Sequence, residues 1–97
     1  MHKSDILRAI SEFNGQNIDD LASEARELLD TCMTYEEAED DMMFALREGG
    51  WETNCVGTAF LAFKDGVTLG VAPAPEGTRD MSLVLVKRGK VVGSAMV

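Results

Sequence analysis

Residues 34–50, TYEEAEDDMMFALREGG, decide the fold, because they carry a complete helix signal and divide the chain into two unlike halves. Thr34 is a suitable N-cap, and Glu37 follows three residues later, as a capping box requires. Gly49 and Gly50 supply the stop signal. We therefore predict a helix that begins after Thr34 and closes a helical half before a strand-rich half begins.

Apolar residues recur every three or four positions in this helix and predict its buried side. They are Tyr35, Ala38, Met42, Ala45 and Leu46. At about 100° per residue, Phe44 falls on the opposite side. The acids of that exposed surface are Glu36, Glu37, Asp40, Asp41 and Glu48. Either Phe44 anchors a partner-binding surface with these five acids, or it packs under a neighbouring element and the acids only meet solvent.

Two shorter helices are predicted upstream of this one. The first follows Ser4 as a possible N-cap and ends at Asn14-Gly15, with Ile6, Ala9, Ile10 and Phe13 on one side. The second starts near Asn17 or Asp19 and has the most regular apolar stripe of the chain. That stripe comprises Ile18, Leu21, Ala22, Ala25, Leu28, Leu29 and Cys32.

The pattern after Gly50 is typical of strands. Residues 55–63, CVGTAFLAF, predict one strand, and Asp65-Gly66 predicts a tight hairpin turn into residues 67–71. A proline-rich connection follows, and residues 81–86 and 91–97 predict a second hairpin. We expect an α+β fold with three N-terminal helices followed by a four-stranded antiparallel sheet of two hairpins. It forms a single domain over residues 1–97, with an acidic helical half (1–50) and an antiparallel sheet half (51–97).

The predicted turns assign residues to the two faces of this sheet. The first turn places Phe60, Ala62, Val67, Leu69 and Val71 on the core face. The second places Met81, Leu83, Leu85, Val92 and Met96 together on one face. Leu61, Phe63, Val84, Val86 and Val91 then share the opposite face. Antiparallel sheets commonly keep one face polar, so these five predict either helices that wrap both sides or the interface of a homodimer.

The charge of the protein is concentrated in the helical half. The net charge is −8 overall; residues 1–48 hold 4 Lys+Arg against 13 Asp+Glu, a net of −9, and residues 49–97 hold 5 against 4, a net of +1. A field of this sign repels phosphate backbones and anionic membranes. The charge therefore disfavours direct binding to nucleic acid or membrane and favours a basic surface of a protein partner.

The sequence lacks the residue sets on which common catalytic and cofactor sites depend. His2 is the only histidine, the two cysteines lie far apart in the sequence, and the glycines follow neither the GxxxxGK[ST] nor the GxGxxG order. Paired carboxylates at i,i+4 on the acidic helix could bridge a hard cation weakly, but no calcium loop accompanies them. We expect no enzyme activity, no cofactor and no dedicated metal site.

Cys32 and Cys55 are the only cysteines, and the sequence shows neither a targeting segment nor an apolar run of membrane-spanning length. Such cysteine usage is typical of a reducing compartment. We expect both thiols to be free and unreactive, and the protein to be cytoplasmic.

Two hypotheses of function follow. The first is a small acidic, non-enzymatic interaction protein, one form of which inhibits a partner by occupying its nucleic-acid-binding groove with carboxylates in place of phosphates. Phage-encoded inhibitors of defence nucleases are similar in charge and size, which is an analogy of composition alone. The alternative is a ligand-binding module or enzyme whose pocket lies between helices and sheet, lined by Trp51, Tyr35 and Arg79, or at a dimer interface.

Overall fold

The computed structural model describes residues 2–75 and 80–97 and shows an α+β protein in which three helices precede one antiparallel sheet. The helices are α1 (Lys3–Ser11), α2 (Ile18–Thr31) and α3 (Tyr35–Glu48). The strands are β1 (Glu52–Val56), β2 (Ala59–Lys64), β3 (Val67–Pro73), β4 (Met81–Lys87) and β5 (Lys90–Met96). The predicted fold class and the order of the elements are confirmed.

The N-termini of α2 and α3 are capped by side chains. The side chain of Asn17 accepts a hydrogen bond from the backbone N–H of Asp19 at 3.0 Å, and the Thr34 hydroxyl accepts one from the N–H of Glu37 at 3.0 Å. Each cap satisfies a backbone donor that has no partner within the helix. α1 begins differently from the prediction: its N-cap is His2, whose side chain makes no capping bond, so Ser4 lies inside the helix.

The predicted number of strands was wrong, because the sheet has five strands rather than four and forms one continuous sheet in the order β1-β2-β3-β4-β5. Residues 55–63 are not one strand. The chain reverses at Gly57-Thr58, so that Val56 lies opposite Ala59. Gly57 has φ +61°, which suits the first position of a two-residue turn that favours glycine.

The register of the central hairpin is confirmed. Phe60 lies opposite Val71 and Ala62 opposite Leu69, as the Asp65-Gly66 turn predicted. All four of these side chains are almost completely buried. They form the core of the sheet together with Met81, Leu83 and Leu85.

The face predicted for Val92 and Met96 was wrong. A bulge between Leu85 and Val86 leaves Val92 without an opposite residue, so that Gly93 lies opposite Leu85 and Met96 opposite Ser82. The bulge moves the rest of β5 by one residue and exchanges its faces. A Cβ atom at Gly93 would lie 2.8 Å from Ile18 Cγ2, which shows how closely α2 approaches this strand.

The helices cover one face of the sheet, which excludes the first of the two alternatives, helices that wrap both sides. α2 packs on β4 and β5, α3 packs on β1 and β2, and α1 packs against both of these helices. Trp51 joins the two halves: its ring stacks on Phe13 with 5.9 Å between centroids, and its indole N–H donates to the Phe13 carbonyl at 3.0 Å. The uncovered face is called the outer sheet face below.

Candidate functional site

The structure places the two sides of α3 as the sequence predicted. Ala38, Met42, Ala45 and Leu46 are buried in the core, and Tyr35 is half-buried against it. Phe44 projects from the other side and remains 61% exposed. Of the two alternatives for this residue, the structure excludes packing under a neighbouring element of the described chain.

Phe44 lies between carboxylates on the exposed side of α3. Asp40 is one helical turn before it and Glu48 one turn after it, and Glu36 lies one turn before Asp40. All three acids are exposed, and none forms an ion pair with another residue within 2–75 and 80–97. We call Glu36, Asp40, Phe44 and Glu48 the anchor patch.

Glu37 and Asp41, which the sequence assigned to the same partner-binding surface, have a different environment. The Lys3 ammonium of α1 lies 2.5 Å from Asp41 Oδ2 and 3.3 Å from Glu37 Oε1. Its bond to Asp41, helped by Glu37, raises the pKa of Lys3 above its ordinary value. These two carboxylates therefore tie α1 to α3, and their charge is partly neutralised within the protein itself.

Cys32 completes this cluster from the end of α2. Its sulfur lies 3.6 Å from Asp41 Oδ2, and ligand atoms of Cys32, Glu37 and Asp41 all lie within 4.8 Å of one another. Three such atoms could contact one cation, but Lys3 already places a positive charge against both carboxylates. Burial also raises the pKa of the Cys32 thiol to about 11, whereas a metal ligand would need the thiolate. The chemistry of the cluster favours a structural role.

The neighbouring side chains of α3 bond away from the anchor patch. Arg47, one turn from Phe44, donates through Nε to Thr53 Oγ1 on β1. The Tyr35 hydroxyl donates to Glu39 Oε2 at 2.6 Å, and burial raises the pKa of both groups. Arg47 is thus bonded to β1, and the anchor patch itself comprises one exposed ring and three acids.

The predicted dimer-interface residues share one surface. Leu61, Val84 and Val86 are half-buried, while Phe63 and Val91 are exposed by 40% and 65%. Their registers place all five on the outer sheet face. The sequence missed two members, Val56 and Met96, because the Gly57-Thr58 turn and the bulge in β5 were not recognised.

Of the three residues proposed to line a ligand pocket, the two that the structure describes have other contacts. Trp51 is buried and stacked on Phe13, and the Tyr35 hydroxyl bonds to Glu39. Arg79 lies outside the described residues. The surface clefts include an open groove of about 800 Å³ between α2 and the end of β5 and a smaller one of about 370 Å³ between α1 and α2, and neither is lined by Trp51 or Tyr35.

Lys3 is the residue of this region that sequence reasoning missed. The contact joins residues 34 or more positions apart, and no local pattern predicts it. A lysine in the first turn of a short helix, where acids are favoured, was the one available signal of a partner outside that helix.

Among residues 2–75 and 80–97, no helix combines the length and the apolar character needed to cross a bilayer. Comparison of the chain with protein-family models, with curated proteins and with solved structures finds no match. The function is therefore inferred from the anchor patch and the outer sheet face.

Proposed function

We propose that this chain is a non-enzymatic interaction protein that binds a basic surface of a protein partner through the anchor patch of α3. The observation that carries the proposal is the 61% exposure of Phe44 between acids of its own helix. An aromatic ring held in water on a folded helix contributes nothing there to the core. Such a residue is typical of the central contact of a protein interface.

The ring and the acids contribute in different ways to such an interface. Exposed ion pairs contribute roughly 0–1 kcal/mol each, so the carboxylates mainly steer the partner and fix its orientation. An aromatic side chain that becomes fully buried on binding can contribute more than about 2 kcal/mol. We therefore assign the affinity chiefly to Phe44 and the selectivity for a basic surface to Glu36, Asp40 and Glu48.

In this proposal, Glu37 and Asp41 have a structural role and do not contact the partner directly. Their contacts with Lys3 fix α1 against α3 and so hold the helix that presents Phe44. They add less to the outward field than the three acids of the patch, because Lys3 offsets part of their charge. A basic partner should accordingly respond more strongly to the loss of Asp40 than to the loss of Asp41.

The form of this function that best fits the charge is inhibition of a nucleic-acid-binding protein by occupation of its binding groove. Grooves that bind nucleic acid present Lys and Arg to phosphates, and carboxylates offer a similar negative field. The net charge of −9 over residues 1–48 supports such a partner and disfavours direct binding to nucleic acid. We place this interaction in the cytoplasm, where two cysteines that form no disulfide remain reduced.

The test uses the immobilised protein to capture partners from cells of its source, with three variants alongside. Phe44→Ala removes the ring, and Asp40→Asn with Glu48→Gln removes two patch charges. Asp20→Asn with Glu27→Gln is the matched control, because it removes the same charge from exposed positions of α2.

The expected result is a basic nucleic-acid-binding protein that the wild type and the α2 control retain and both patch variants lose. The wild type should also displace duplex DNA from the captured protein. Equal retention by all four proteins would show that the anchor patch does not hold the partner, and equal losses by the two charge variants would assign the binding to overall charge; the proposal would fail in either case.

A further inference from the structure

The outer sheet face is a second surface that residues 2–75 and 80–97 leave uncovered. Its residues alternate with the buried core residues along the three central strands, β2, β3 and β4, and its apolar members run from Val56 on β1 to Met96 on β5. At the centre, Leu61 lies over Gly70, with its Cδ2 3.6 Å from the position of a Cβ there. Large exposed apolar patches are seldom left in water.

We propose that a second copy of this chain covers the outer sheet face, so that two sheets pack face to face in a homodimer. This inference concerns the opposite side of the protein from the anchor patch and stands independently of the proposed function.

Charge is the first argument for a second copy as the occupant. Glu52 is the one charged residue that the five strands place on this face, since Lys64, Lys87 and Lys90 alternate to the helix side. Two chains of net charge −8 can therefore meet here without bringing their acids together. Packed sheets lie about 10 Å apart, and each helical layer then lies behind its own sheet. The acidic layers remain separated by more than the Debye length of about 8 Å at physiological ionic strength.

The area of the face is the second argument. The five strands are 5, 6, 7, 7 and 7 residues long, and at about 3.4 Å per residue and about 4.8 Å between strands they cover roughly 500 Å². Two copies would bury about 1,000 Å² in total, which is about the smallest area expected of a biological interface. A face-to-face arrangement also follows the general architecture of sheet sandwiches, in which inner side chains of two sheets interdigitate.

The experiment measures mass by light scattering between about 1 and 100 µM, where mass action reveals a dimer. Thr68→Lys places a charge on the central strand, between Phe63 and Val86, and removes no apolar side chain. Ser23→Lys adds the same charge to an exposed position of α2 and is the matched control. We expect the wild type and Ser23→Lys to have twice the 10.5 kDa mass of one chain, and Thr68→Lys to dissociate at least 100-fold more readily.

A wild-type mass of 10.5 kDa throughout this range would overturn the proposal, and binding of a hydrophobic dye to that monomer would assign the face to a different partner. A dimer that Thr68→Lys leaves intact would also overturn it, because another surface would then hold the copies together. Should Thr68→Lys fail to fold, methyl NMR of the wild type with a soluble paramagnetic agent decides the question. The methyl groups of Leu61, Val84 and Val86 are shielded in the proposed dimer, and strong relaxation of their signals would contradict it.

Discussion

Replacement of Phe44 by alanine distinguishes between two roles of this side chain, packing in the protein core and contact with a partner. A Phe whose side chain is buried in a core costs about 3–5 kcal/mol of folding free energy when it is truncated. Phe44 is 61% exposed, so most of its surface is already in water in the folded protein. Alanine also has a higher helix propensity than phenylalanine, by about 0.5 kcal/mol. We expect Phe44→Ala to lower the free energy of unfolding by less than about 1 kcal/mol.

The expected loss of binding is larger. An aromatic side chain can bury roughly 150–250 Å², and the 61% exposure leaves about 90–150 Å² of Phe44 for a partner to cover. At about 25 cal/mol per Å², this area corresponds to roughly 2–4 kcal/mol. If the partner covers only half of this area, the substitution still removes about 1 kcal/mol or more of binding free energy. If the partner covers all of it, the affinity falls more than tenfold. We expect Phe44→Ala to weaken binding at least tenfold.

Two measurements on the same sample check this expectation. A denaturant titration gives the unfolding free energy, and a binding titration against the captured partner gives the affinity. Met33→Ala is a useful control, because Met33 is 86% exposed in the same half of the chain but precedes α3. The reasoning is refuted if Phe44→Ala loses about 3 kcal/mol of stability and keeps its intrinsic affinity, since Phe44 would then be a structural residue.

Three further predictions follow from the charges and thiols. The association rate with a basic partner should fall as salt rises, because exposed charges are screened beyond about 8 Å at physiological ionic strength; a rate that salt does not change would exclude electrostatic steering. Native-state thiol labelling should be fast at the exposed Cys55 and slow at the buried Cys32, whose pKa is raised to about 11; equal rates would contradict this difference. Lys3→Gln should lower stability by about 1 kcal/mol or less at pH 7. Because the folded-state pKa of Lys3 is raised, this difference should stay constant from pH 7 to 10.5, the ordinary pKa of lysine, and shrink above it; a difference that grows above that pH would be inconsistent with the ion pair.

The two cysteines were predicted to behave alike, and the structure distinguishes them. Neither forms a disulfide bond, as the sequence indicated. Cys32 lies on the apolar stripe of α2, and helical periodicity was sufficient to predict its burial. Cys55 follows polar residues on the edge strand β1, where its side chain is exposed. The environment of Cys55 depends on β1, a strand that the local pattern did not predict. Because its side chain is exposed there, we expect Cys55 to react with labelling reagents.

The helical half could be predicted closely because its signals are local. The periodicity of α3 placed Ala45 in the core and Phe44 in solvent, and Thr34 accepts the predicted capping bond. The ion pairs of Lys3 could not be predicted, since they depend on how α1 packs across α3. Local patterns therefore predicted the members of the anchor patch, but did not reveal that Glu37 and Asp41 are partly neutralised.

The sheet was predicted less well for a physical reason. Strand β1 begins Glu-Thr-Asn and lies at the edge of the sheet, so it lacks the apolar alternation that marks a half-buried strand. The bulge in β5 inserts one residue at Val92 and reverses the face of Met96, an effect that no turn signal reveals. Both errors concern the edge strands of the sheet. The register of β2 and β3 was predicted correctly, because Asp65-Gly66 is typical of a two-residue turn that fixes it.

The two proposed surfaces lie on opposite sides of the protein, because the helices cover only one face of the sheet. Because all three helices lie on one face, every carboxylate of α3 lies on that side, and the outer sheet face, with Glu52 as its one charged residue, lies on the other. Phe44 and the outer sheet face are consequently separated by the packed core, which includes Met42, Leu46 and Phe60. A homodimer formed through the sheets would carry two anchor patches on its two outer sides, each free to meet a partner. Two basic sites on one target would then be bound with an avidity above that of a single patch, provided that their spacing matches the span of the dimer.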